Sequence, residues 1–106
     1  MKISTTSNIA GYKIIETINV VTGNMVQSKH VGRDIMAGLK TIIGGEIVGY
    51  TEMLNEAREN AHNRMIEMAR KKNADGIVNI RYTTSAISQG MSELLAYGTA
   101  VKLEKC

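Results

Sequence analysis

One long apolar stripe constrains this chain more than any other feature. Tyr50, Met53, Leu54, Ala57, Ala61, Met65 and Met68 recur near a 3.6-residue period, and Glu52, Glu56, Glu59, Asn63, Glu67 and Arg70 take the opposite face. The pattern predicts a helix over Tyr50–Lys72, with Asn73 as a left-handed cap. Arg70, Lys71 and Lys72 form the only basic run and fall at the helix end, where cations complement the macrodipole. A solvated helix terminus explains that run without a phosphate-binding patch.

Around this helix the sequence is rich in strand formers. Lys13–Ser28 carries Ile14, Ile15, Thr17, Ile18, Val20, Val21, Thr22 and Val26, β-branched residues suited to a pleated surface. Apolar groups fall on both of its faces, so the strand is expected to be covered on both sides. Gly23-Asn24 interrupts it, read as a bulge or sharp bend, with a two-residue hairpin as the alternative. Gly76–Thr84 reads as a second strand and Glu93–Glu104 as a third, joined by a polar connection over Ser85–Ser92. The third strand has one face of Leu95, Tyr97, Thr99, Val101 and Leu103. Its other face, Ala96, Gly98 and Ala100, is small enough for a helix to lie close.

A further helix is predicted over Val31–Ile43, where Val31, Ile35, Leu39, Ile42 and Ile43 share one stripe before Gly44-Gly45 stops it. The expected order is β-α-α-β-β, with a short extra strand possible at Lys2–Thr5. That is an α+β protomer: a mainly antiparallel sheet with two helices on one face. No linker or internal repeat divides residues 1–106, so the chain is one domain. At 106 residues it hides roughly two-thirds of its unfolded surface. So small a core, with apolar groups on both strand faces, suggests a homo-oligomer.

Composition narrows the function classes. There is no Phe or Trp and only 4 Tyr, too few aromatic platforms for single-stranded nucleic acid, and the net charge is only +3. No nucleic-acid partner is expected. No uncharged apolar stretch approaches the ~20 residues of a membrane span, and Met1-Lys2 leads directly into Ser4, Thr5, Thr6 and Ser7. The single Cys106 allows no internal disulfide. A cytoplasmic protein with no membrane partner is expected.

No catalytic constellation emerges. Neither Gly-x-Ser-x-Gly nor Ser-x-x-Lys occurs, and the glycines before the long helix match no nucleotide fingerprint. The candidate metal ligands are His30, Glu59, His62 and Cys106. Glu59-x-x-His62 puts a carboxylate and an imidazole within one helical turn, but no further inward carboxylates accompany it. A surface polar pair is the plainer reading, and Cys106 reads as an incidental terminal thiol. No cofactor is assigned.

Val21-Thr22-Gly23, Arg33-Asp34, Ala37-Gly38-Leu39, Gly44-Gly45, Tyr50, Ala57-Arg58, Ala74-Asp75-Gly76-Ile77 and Gly98-Thr99-Ala100-Val101 follow one another along nearly the whole chain. In that order they resemble the YbjQ-like family, small bacterial and archaeal proteins of uncharacterised function that often carry a heavy-metal-binding label. The resemblance implies an α+β protomer in a ring-like homopentamer. It implies no chemistry, because the Cys-x-x-Cys loop of cysteine-based heavy-metal domains is missing here. Glu46, where many relatives have a basic residue, opposes an anion site at the Gly-Gly turn.

The leading expectation is a binding module that holds a small ligand or ion at subunit boundaries. Its candidate residues are Thr22 and Gly23 at the strand bend, Arg33 and Asp34 at the first helix, and Tyr50. Arg33 would supply a donor fork, Asp34 an acceptor and the bend exposed amides. An inter-subunit Arg33–Asp34 salt bridge is the structural counter-reading. The alternative function is a scaffold ring that presents Glu52, Glu56, Glu59 and Glu67 to a protein partner.

Overall fold

The computed structural model describes residues 1–28, 42–43 and 46–106. Its elements are β1 (Lys2–Ile3), β2 (Tyr12–Ser28), β3 (Ile42–Ile43), β4 (Glu46–Ile47), α1 (Val48–Lys71), β5 (Gly76–Ser88) and β6 (Met91–Lys105). Four strands form one mixed sheet in the order β1-β5-β6-β2, and β3 pairs with β4 separately. β1 runs parallel to β5, while β6 is antiparallel to both β5 and β2.

The α1 stripe docks on this sheet through its smallest members. Ala57, Ala61, Met65 and Ala69, each one turn apart, are buried, and the last three pack with Val21, Ile77, Ile80, Ala96 and Ala100 in one core cluster. Small side chains on both surfaces bring the backbones close. A Cβ on Gly23 would lie 2.1 Å from the Ala61 carbonyl oxygen and 2.4 Å from the Met65 nitrogen. Gly23 is therefore the point on which the helix rests. Asn73 closes α1 with φ of 60°, as its cap position requires.

Several expectations need correction. The β-α-α-β-β order with two helices on one face does not hold: the described residues contain one helix and a four-stranded mixed sheet. Ile42 and Ile43, assigned to the first helix, pair instead with Ile47 and Glu46. A β-branched pair packs well on a pleated surface, and here it has an extended partner. The remainder of that predicted helix, Val31–Thr41, lies outside the described residues. The parallel β1 makes the sheet mixed, because residues after Ile3 continue along β5 with Ser4 N–H bonding Ile77 O and Asn79 N–H bonding Thr6 O.

The bulge expected at Gly23-Asn24 is elsewhere. Pairing of β2 with β6 is unbroken from Asn19↔Ala100 to Ser28↔Met91, and the irregularities lie between Ile14 and Glu16 and between Thr17 and Asn19. A glycine inside a strand can serve dihedral freedom or close approach, and here it serves the second. The polar connection over Ser85–Ser92 is also mostly strand: β5 and β6 continue to Ser88↔Met91, leaving Gln89-Gly90 as the turn, with Gly90 at φ 76°. Among the described residues of one chain, β2 is covered on one side. Val21 is 0% exposed beneath α1, but Val20 is 61% exposed on the other face. Leu54 and Met68 of the helical stripe are likewise exposed. Among the described residues, no helix is long and apolar enough to cross a membrane.

Candidate functional site

Towards the N-terminal half of α1 the alanine row gives way to Tyr50, Met53 and Leu54, and two adjoining hollows open between helix and sheet. One, of about 350 Å³, lies between Met25–Ser28 of β2 and Met53, Glu56 and Asn60 of α1, and reaches Met91 of β6. The other, of about 340 Å³, lies between Tyr50, Met53 and Leu54 and the β5–β6 turn. They share Gln27, Ser28, Met53 and Met91, so they form one groove. The Gln27 side-chain amide donates to the Met53 carbonyl at 3.4 Å and ties β2 to the helix there. The walls are largely apolar, with Gln27, Ser28, Glu56, Asn60, Ser88 and Ser92 as polar groups. That is the usual composition of a small-ligand site.

Of the expected ligand residues, Tyr50 lines this groove. Gly23 does not: it is buried under Ala61, eleven residues further along α1, about 16 Å at 1.5 Å per residue. Thr22 lies beside it, and its N–H points to the Met68 sulfur at 3.4 Å. Thr22 and Gly23 are thus not brought together with Tyr50. Arg33 and Asp34 lie outside the described residues.

The metal candidates are also dispersed. His30 lies outside the described residues. Glu59 is exposed, one turn from His62. His62 Nδ1 meets the Tyr82 hydroxyl at 2.6 Å, with the two rings stacked at 6.1 Å. Tyr82 remains 41% exposed, yet partial burial of the phenol pushes its pKa up, while the nearby Arg58 charge pulls the other way. Cys106 is exposed at the opposite end of the β2–β6 ladder from the groove, its N–H bonded to Gly11 O. Among the described residues, no three His, Cys, Asp or Glu side chains come together.

Sequence reasoning missed the His62–Tyr82 contact and the part of Met25 and Met91 in the groove. Twenty residues separate His62 from Tyr82, and only the docking of α1 across the sheet joins them. Met25 and Met91 carried one available signal, the high count of 7 Met in a chain without Phe or Trp.

Comparison with known proteins agrees with this architecture. The YbjQ family model, described as "Putative heavy-metal-binding", matches residues 1–104. The chain belongs to the YbjQ family. Among YbjQ-type relatives, a UPF0145 protein of Photobacterium profundum is 73% identical over 99 residues, covering 93% of this chain and 96% of the relative. A UPF0145 protein of Thermotoga maritima is 56% identical over 105 residues, covering 99% of each. A crystal structure of a DUF74-family protein of unknown function from Pediococcus pentosaceus shares the fold, with a TM-score of 0.64 at 21% identity over 98% of both chains.

Proposed function

We propose that this YbjQ-family chain is a binding module that holds a small ligand or ion in the groove beside Tyr50. It works as a ring-like homo-oligomer, with five copies as the family resemblance implies. The observation that carries the reading is the groove itself: a concave, mostly apolar surface with a few polar groups, contributed by β2, α1, β5 and β6.

Assembly is supported by the edges of the sheet. Among the described residues β2 is an edge strand of 17 residues. On the opposite side β1 pairs with only Gly76 and Ile77 of β5, and the backbone bonds between the chain after it and β5 go no further than Ile80, where the Arg81 guanidinium also donates to Thr5 O at 2.8 Å. Long open edges invite pairing with another chain. Two different edges on opposite sides of one sheet favour head-to-tail contacts, which close into a ring when the rotation allows. Exposed Ile15, Val20, Val26 and Ile87 gain cover in such an arrangement. The lack of any internal disulfide with a single cysteine suits the cytoplasm.

The scaffold alternative rests on Glu52, Glu56, Glu59 and Glu67. These are exposed, but Arg58, Arg64 and Arg70 are interleaved with them, and Arg70 pairs with Glu67 at 2.6 Å. Mixed charge of this kind is what a solvated helix face carries, and nothing further favours a partner there.

Native mass spectrometry of the protein as purified tests the proposal. A ring mass with a reproducible adduct, lost when Tyr50 and Met53 are replaced by Ala, is the expected result. A bare monomer overturns both parts of the reading.

A further inference from the structure

Resting on the reading of the chain as a ring assembly, we infer that Asn19, Arg64 and Met68 shut the middle of β2 against a strand of a second copy, and so disfavour a two-fold β2–β2 dimer relative to the ring. In an antiparallel ladder, alternate residues turn both backbone groups away from the partner strand. The Thr22 N–H reaches the Met68 sulfur rather than β6, so Val20, Thr22 and Asn24 turn outward in the unbroken stretch from Asn19 to Ser28. Each of the three has an outward group taken by a side chain of its own chain. The Val20 N–H donates to Asn19 Oδ1 at 2.8 Å and the Thr22 N–H to Met68 Sδ at 3.4 Å. The Asn24 carbonyl accepts from the Arg64 guanidinium at 2.5 Å.

These contacts follow from how closely α1 lies on the sheet. A Cβ placed on Gly23 would also lie 2.9 Å from Arg64 Cβ, so the stem of Arg64 starts directly over β2. Arg64 and Met68 stand one turn apart on α1 and hang over the same edge. The Arg64 bond is charge-assisted and stronger than the one to the thioether, a weak acceptor. A charge held on an edge also deters a second edge from approaching. Across a two-fold axis near Thr22, antiparallel β2–β2 pairing would set the Arg64 side chains of both copies against each other and strip each from its carbonyl. From Lys13 to Thr17 no side chain among the described residues bonds the backbone, which leaves that arm of β2 to the head-to-tail contacts of the ring.

The test compares the full natural chain with Asn19→Ala/Arg64→Ala/Met68→Leu by native mass spectrometry and by amide exchange at a low and a high protein concentration. Leu keeps the volume of Met, and none of the three residues belongs to the buried row Ala57, Ala61, Met65 and Ala69, so the far-ultraviolet spectrum should not change. The variant is expected to form two-copy species that the natural chain does not. Exchange at its Val20 and Thr22 amides should slow about tenfold or more as its concentration rises. In the natural chain those amides keep one rate at both concentrations. Arg64→Lys alone retains the charge and should leave the masses unchanged. Asn19→Ala/Arg64→Ala, with Met68 in place, carries the same expectation should the triple variant lose its fold. Unchanged masses and exchange in the folded variant, or concentration-dependent protection of Val20 and Thr22 in the natural chain, overturns the inference. A natural chain that stays monomeric while the variant pairs refutes the ring and leaves the guarded edge standing.

Discussion

Replacing Gly23 with Ala tests the docking of α1 on which the rest of the fold depends. The new Cβ would sit 2.1 Å from the Ala61 oxygen, and ordinary contact begins near 3.4 Å, so the helix must lift by about 1.3 Å. Both nearest atoms belong to the helix backbone and cannot swing aside. A radial gap of about 0.5–1 Å already forfeits a quarter to a half of the dispersion attraction, and here it would open along Ala57, Ala61, Met65 and Ala69. Overpacking costs about 1–3 kcal/mol in general, and a backbone clash belongs at the upper end, about 3 kcal/mol. A chain of this size has only about 5–15 kcal/mol in total, and the Tm should fall by roughly 12–24 °C.

Thermal and urea unfolding followed by circular dichroism, at one protein concentration, measures the change. Gly11→Ala is the control, because nothing lies within 4 Å of its added Cβ but its φ is +82°. That variant isolates left-handed strain, about 1–2 kcal/mol. Gly98→Ala should cost less than Gly23→Ala, since its closest neighbours are Ile77 Cγ2 at 2.7 Å and the Val78 carbonyl oxygen at 3.1 Å, against two helix-backbone atoms at 2.1 and 2.4 Å for Gly23. A Gly23→Ala protein no less stable than Gly11→Ala would refute the placement of the helix.

Other outcomes follow from single contacts. Met65→Ala should cost about 2–5 kcal/mol in urea unfolding, because it empties a fully buried volume between α1 and the sheet. Arg70→Ala should change stability by less than about 0.5 kcal/mol, because the Glu67–Arg70 pair is 60% and 59% exposed. Burial raises the Tyr82 phenol above its ordinary value, so its contribution is present at neutral pH and is lost as pH rises through the raised value. Tyr82→Phe should therefore flatten the alkaline decline of the urea midpoint. Arg58→Ala should move one tyrosinate transition further up in an ultraviolet titration.

How much was legible depended on whether local pattern or space decided each element. The Tyr50–Lys72 stripe located α1 to within two residues at its start and one at its end, because burial on one side imposes a 3.6-residue period directly. The alternation of Ala96, Gly98 and Ala100 identified the helix-facing side of β6, since a strand presents every second residue to its cover. Ser85–Ser92 was illegible because the far arms of β5 and β6 are largely exposed there, and exposed strands need not alternate. Ile42-Ile43 satisfied a helical period and β-propensity at once, and only the partner strand Glu46–Ile47 decided between them. In the candidate site, Tyr50 was found from its place at the head of the stripe, whereas Met25 and Met91 lie 66 residues apart in sequence.

By itself the sequence determined an α+β chain, an aliphatic core, one long helix with its cap, and the small-residue face that receives it. These are written in periodicity and side-chain size, which act between neighbours in the chain. Tertiary structure alone decided that Gly23 serves close approach rather than a bend, that His62 meets Tyr82, and that three methionines share one groove. Each of these depends on where α1 crosses β2 and β6. That crossing is set by packing between segments far apart in sequence, and no local pattern encodes it.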